Sequence, residues 1–199
     1  GQWRGALRVV PPPAAPDVYP DWNPQLADAA AQEMYLYFNE FLRTGRSWMD
    51  FMKADVNFVN TDLAKAYGMT APAGATATNL VRVEGVQDGR AGFTGLLGFL
   101  AMSSPDRRSS PTLRGKWILM NLACTTPPDP PANVPKLEDM GGDTTSTNVR
   151  VRLEAHRANP ACAACHSLFD PFGLALEQYD GIGKFRDKYP DGSTSVSAI

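Results

Sequence analysis

Residues 159–173 read NPACAACHSLFDPFG, and this stretch decides what fold the rest of the chain must build. Two of the three cysteines, Cys162 and Cys165, and one of the two histidines, His166, fall within a single pentapeptide. Their spacing is CxxCH, the attachment sequence of c-type haem. Two thiols three positions apart at the start of a helix reach the two vinyl groups along one porphyrin edge. The adjacent imidazole then reaches the iron as its proximal ligand. One covalent haem c is therefore the expected cofactor, held by Cys162, Cys165 and His166.

Three other readings of the same residues compete with it. A structural zinc site needs four ligands, which Cys124 and His156 could complete, but no second Cys-rich knuckle is present. A thioredoxin-like redox pair normally follows a strand in a sheet-bearing fold, which the helical pattern here does not offer. A plain disulfide would leave His166 unexplained.

The sixth iron position is open at the level of sequence. All seven methionines precede Cys162, so a ligating methionine downstream of the motif is excluded. The candidates are Met140, Met102 and His156, and an open position is the remaining option. Met69 and Met120 read as core residues, and His156 also reads as a partner for a helix C-terminus or a haem propionate. Beyond the motif, Phe169, Phe172, Leu174, Leu176 and Tyr179 are expected to pack on the haem. Pro171 is expected to leave a carbonyl free for the imidazole of His166. Arg186 and Lys184 read as a solvated face, with propionate pairing the other option, and Cys124 as a buried free thiol closing its helix.

Working outward, the chain has 199 residues, 43% of them hydrophobic, enough to bury a real core. Its 19 basic and 21 acidic residues are interspersed and give a net charge of -2, which argues against a nucleic-acid partner. No apolar run reaches the roughly 18 residues of a membrane span. The opening GQWRG does not follow a signal-peptide pattern, so the chain is expected to be a mature form or a piece of something longer.

The periodicities predict a mainly α protein. Residues 1–22 contain five prolines and read as an extended lead-in. Asn23 as N-cap, Pro24 and the recurrence of Leu26, Ala30, Met34, Tyr37 and Phe41 predict a helix that Gly45 closes. Ser47 with Asp50 opens a short helix, and Thr61–Tyr67 forms another, stopped by Gly68. NLVRVEG reads as a short strand or an extended connector. FTGLLGFLAM reads as one small-residue helix. Ser110–Pro111 starts a further helix that offers Leu113, Trp117, Met120 and Leu122 to a core. Five prolines between Pro127 and Pro135 then predict a semi-rigid spacer, and NVRVRLEAHR a helix leading into the motif. The expected organisation is a helical module, 23–124, a Pro/Gly-rich linker, 125–142, and a small cytochrome c-like haem-binding module, 143–199. A module of that size is marginal alone, so the haem is expected to pack against other helices as well.

Two longer stretches extend the picture: SSPTLRGKWILMNLACTTPPDPPANVPKLED and VRLEAHRANPACAACHSLFDPFGLALEQYDGIGKFRD. Together they resemble the C-terminal part of large exported bacterial proteins of unknown function, of planctomycete and myxobacterial type, that carry cytochrome c-like domains. YPDWNPQLADAAAQEMYLYFNEFLRTGRSWMDFMKADVNFVNTDLAKAYGM is similar to the helical module preceding them. The resemblance implies that the chain is a fragment of a longer protein in a periplasmic or extracellular setting. Members often have methionine shortly after the haem motif; Phe169 stands in that region here.

These readings point to a c-type haem protein or subunit that carries single electrons to or from a protein redox partner. Two alternatives stand beside it. One is a peroxidase- or oxidase-like haem enzyme with an open sixth position, using His156, Glu154 or Glu177 as acid or base. The other is a structural haem-bearing subunit of a larger redox or photosynthetic complex.

Overall fold

A computed structural model describes residues 15–85, 89–128 and 148–195. The protein is mainly helical; among the described residues there is one two-stranded sheet, and no helix is long and apolar enough to cross a membrane. The chain divides into two compact units: Gly1–Arg108 with Asp180–Phe185, and Ser109–Tyr179 with Arg186–Ile199. The boundary therefore falls after Arg108, ahead of the Ser110–Pro111 helix start rather than at the proline-rich stretch.

In the first unit, α1 spans Pro24–Thr44. Asn23 Oδ1 accepts from Leu26 N at 2.9 Å, and Gly45 closes the helix in the left-handed region at φ 64°. The buried face of α1 presents Leu26, Ala30, Met34, Tyr37 and Phe41, as the periodicity predicts. α2, Trp48–Phe51, is capped by Ser47, and α3, Thr61–Ala66, by Asn60. Between them runs β1, Val56–Val59, pairing antiparallel with β2, Val81–Glu84, with Val56 opposite Glu84.

The stretch FTGLLGFLAM does not form one helix. A 3-10 turn, Phe93–Gly95, is separated from α4, Leu97–Met102, by Leu96 in extended conformation. The amide of Leu97 donates to the Tyr67 hydroxyl at 2.8 Å, so it is withdrawn from the ladder that would have joined the two pieces. Gly98 permits α4 to approach α1 closely, since a Cβ there would lie 2.6 Å from the Ala30 carbonyl oxygen. An aromatic cluster of Tyr37, Phe41, Phe51, Phe93 and Phe99 fills the space beside them. Below Tyr67 lies a buried polar group: its hydroxyl donates to Glu33 at 2.5 Å, and the Arg90 guanidinium stacks on its ring at 4.6 Å. Arg90 also donates to the carbonyls of Gly95 and Gly183, which binds the downstream segment 180–185 into this unit.

In the second unit, α5, Pro111–Asn121, packs on α7, Pro160–Leu174. Two glycines set the crossing. A Cβ on Gly115 would sit 1.8 Å from the Phe169 carbonyl oxygen, and one on Gly173 equally close to that of Pro111, so backbone meets backbone. The interface face of α5 is accordingly Pro111, Arg114, Gly115 and Leu119. Leu113 and Met120, expected in a core, point to solvent instead, and Trp117 and Leu122 are half-buried. Cys124 is also exposed rather than buried, because the helix ends before it.

α6, Val149–Arg157, is capped by Asn148 and packs on α7. The turn after α7 is fixed by a buried ionic group. Glu177 accepts from Ser109 at 2.9 Å, Arg186 at 2.8 Å and Tyr189 at 2.9 Å, with Arg114 at 3.6 Å. Arg114 also donates to the carbonyls of Leu176 and Tyr179. Arg186 is thus an internal partner of Glu177 and not part of a solvated face, while Lys184 pairs with Asp21 at 2.6 Å in the first unit. Lead-in residues 1–14, linker residues 129–142 and the first residues of the expected haem-binding module, 143–147, lie outside the described residues.

Candidate functional site

α7 begins at Pro160, where the carbonyl of Asn159 accepts from the amides of Cys162 and Ala163, both at 3.0 Å. Both motif cysteines therefore stand on the first turns of a helix, free and half-exposed. With 100° per residue, Cys162, His166, Phe169 and Gly173 share the face turned into the unit. Cys165 borders a second stripe continued by Leu168 and Phe172, which remain 46% and 44% exposed.

His166 is held from below. Its Nδ1 lies 3.0 and 3.1 Å from the two carboxylate oxygens of Asp170, one helical turn on and fully buried. A carboxylate only accepts, so Nδ1 donates the proton, and in the neutral ring Nε2 keeps its lone pair. Asp170 is itself positioned by Thr112 Oγ1 at 3.3 Å on α5 and by the Arg157 guanidinium at 4.0 Å on α6. Three helices thus fix one imidazole. The partner of that imidazole is the Asp170 carboxylate rather than a carbonyl freed by Pro171, which lies within α7. Sequence reasoning passed over Asp170, although its i+4 spacing from His166 on a helix is the signal that would have found it.

His156, on the last turn of α6, is buried against His166, with ring centroids 4.7 Å apart at 69°. Desolvation, joined by repulsion from the His166 ring, pulls its pKa below the ordinary histidine value, and Asp170 only partly opposes this. The rings touch edge to face, so a bis-histidine arrangement around an iron would require them to separate. Phe169 also packs on His166, with ring centroids 5.1 Å apart. Of the remaining candidates for a sixth ligand, Met102 belongs to α4 of the first unit and Met140 lies outside the described residues. Glu177 is committed to its arginine and hydroxyl partners, and Glu154 is exposed on α6.

Among the described residues no group of three or more His, Cys, Asp or Glu side chains is placed to hold a metal ion, so Cys124 and His156 do not complete a zinc site with the motif cysteines. What the site offers chemically is two reachable thiols and one oriented imidazole nitrogen.

Residues 90–189, half of the chain, match the model of the PSCyt3 family, a protein family of unknown function (DUF1588). Residues 1–69 match the PSD4 model, likewise of unknown function (DUF1592). Both are planctomycete cytochrome c-like domain families. No curated protein and no solved structure matches the chain.

Proposed function

We propose that this chain, which belongs to the PSCyt3 family, is an exported c-type haem protein that carries single electrons to or from a protein redox partner. Cys162 and Cys165 would form the thioether links and His166 would be the proximal ligand. The observation that supports this most directly is the orientation of His166: Asp170 accepts a hydrogen bond from Nδ1–H, which leaves Nε2 as the ligating nitrogen. A haem bound there supplies reversible one-electron chemistry at its iron.

The residues of the chain divide the remaining work. The two thiols are free and reachable on the first turns of α7. Leu168 and Phe172, exposed beside Cys165, offer the apolar surface that a porphyrin would cover, and Phe169 backs the imidazole. Asp170, fixed from α5 and α6, keeps the imidazole from rotating. Electron transfer is favoured over enzymatic turnover because two of the acids or bases that turnover would draw on are otherwise engaged: Glu177 is locked in its own cluster and His156 lies against the proximal ring.

The test is spectroscopic. The protein matured in an oxidising compartment is expected to give a pyridine haemochrome of thioether-linked haem and a sharp reduced α band. Replacement of either cysteine by alanine should leave haem extractable by acidified solvent. Asp170→Asn should keep the covalent haem and raise its reduction potential, because a neutral amide places less negative charge on the proximal imidazole than a carboxylate does. Absence of a Soret band from the matured wild type would end the proposal.

A further inference from the structure

We infer that the corner between α1 and α2 docks the protein on an anionic lipid surface. From Leu42 to Met49 nearly every residue is exposed, Arg46 alone being half-buried, so the chain forms a protruding corner rather than a groove. Its apolar side chains are large. Met49 is 74% exposed, and Leu42, Trp48 and Met52 also stand in solvent. Trp48 is braced from behind by Phe38 at 5.9 Å and Phe51 at 5.3 Å, so its exposure is built into the packing of the unit.

The rim of the corner is cationic. Arg43, Arg46 and Lys53 lie along it, against Asp50, which Lys53 approaches at 3.7 Å, and the exposed Asp55 just beyond, and this in a chain whose net charge is -2. Glu40, the next acid along α1, faces Arg82 at 3.0 Å. A tryptophan and flexible thioether side chains on a convex, basic corner match the boundary between phosphate head groups and acyl chains. A protein partner would need a concave acidic pocket shaped to side chains that have no fixed shape, whereas a fluid bilayer adapts to them. Each cation near such a surface strengthens binding roughly fivefold.

The test is co-sedimentation of the full chain with phosphatidylcholine vesicles containing or lacking phosphatidylglycerol, at low and high salt. Wild type is expected to sediment with the anionic vesicles at low salt and to leave them at high salt. Met49→Ser, at a site with little native packing, should weaken binding about tenfold and Arg43→Glu, a two-unit change of charge, about twenty-five-fold, while circular dichroism and thermal midpoint stay unchanged. No sedimentation of wild type with anionic vesicles would overturn the inference. So would equal binding by Met49→Ser, or a Met49-dependent dimer in gel filtration with no vesicle binding, which would assign the corner to self-association instead.

Discussion

Glu33 is a carboxyl group placed where water does not reach. Burial pushes its pKa up to about 7, outweighing the hydrogen bond from Tyr67 and the nearby charge of Arg90. The folded state therefore holds a proton that the unfolded state gives up near the ordinary glutamate value of 4.5. Stability from this residue is complete below that value and falls as pH rises toward 7, by about 3 kcal/mol in all. Glu33→Gln, which stays neutral and can still accept from Tyr67, should flatten the dependence. Urea midpoints at about pH 5 and about pH 8 check it: wild type should lose markedly more stability between them than the variant. Neither this group nor the Glu177 cluster was legible in the sequence. Tyr67 is 34 residues from Glu33, and Ser109 is 68 from Glu177, so no local spacing announces either pairing. His166 and its cysteines were legible because their chemistry demands a fixed local spacing.

At the level of elements, caps carried the reading well. Asn23, Ser47 and Ser110 begin helices where their side chains accept a backbone N–H, and Gly45 ends one. β1 was missed because VNFV lacks a clean alternation and its partner strand lies beyond α3. The face of α5 was misread for a different reason. Large apolar residues mark a buried face when side chains fill the contact, but here the contact is backbone on backbone at Gly115 and Gly173, and the large residues are left outside. Gly115→Ala should therefore cost about 3 kcal/mol or more, since the Phe169 carbonyl it meets cannot rotate away. Chemical denaturation would show this as a lowered midpoint. Leu113→Ala, on the exposed side of the same helix, should shift the midpoint by less than about 1 kcal/mol.

For the molecule as a whole, helix content and periodicity are enough to predict a mainly α chain, but not where it divides. The first unit is closed by residues 180–185, which return to it after the helices of the second. Ile182 is buried in the first unit's core, and the Gly183 carbonyl accepts from Arg90. A fragment ending at Arg108 would lack both and leave an arginine short of a buried acceptor. It is expected to unfold at a lower temperature than the same unit in the full chain, and a peptide of residues 180–185 added in trans should not restore it, because the chain no longer prepays the entropy of bringing the ends together.

The same return of the chain sets a schedule for biogenesis. Gly183 leaves the ribosome 93 residues after Arg90, and CxxCH lies between them. Cys162 and Cys165 thus emerge while the first unit is still unfinished, before Ile182 and Gly183 close it.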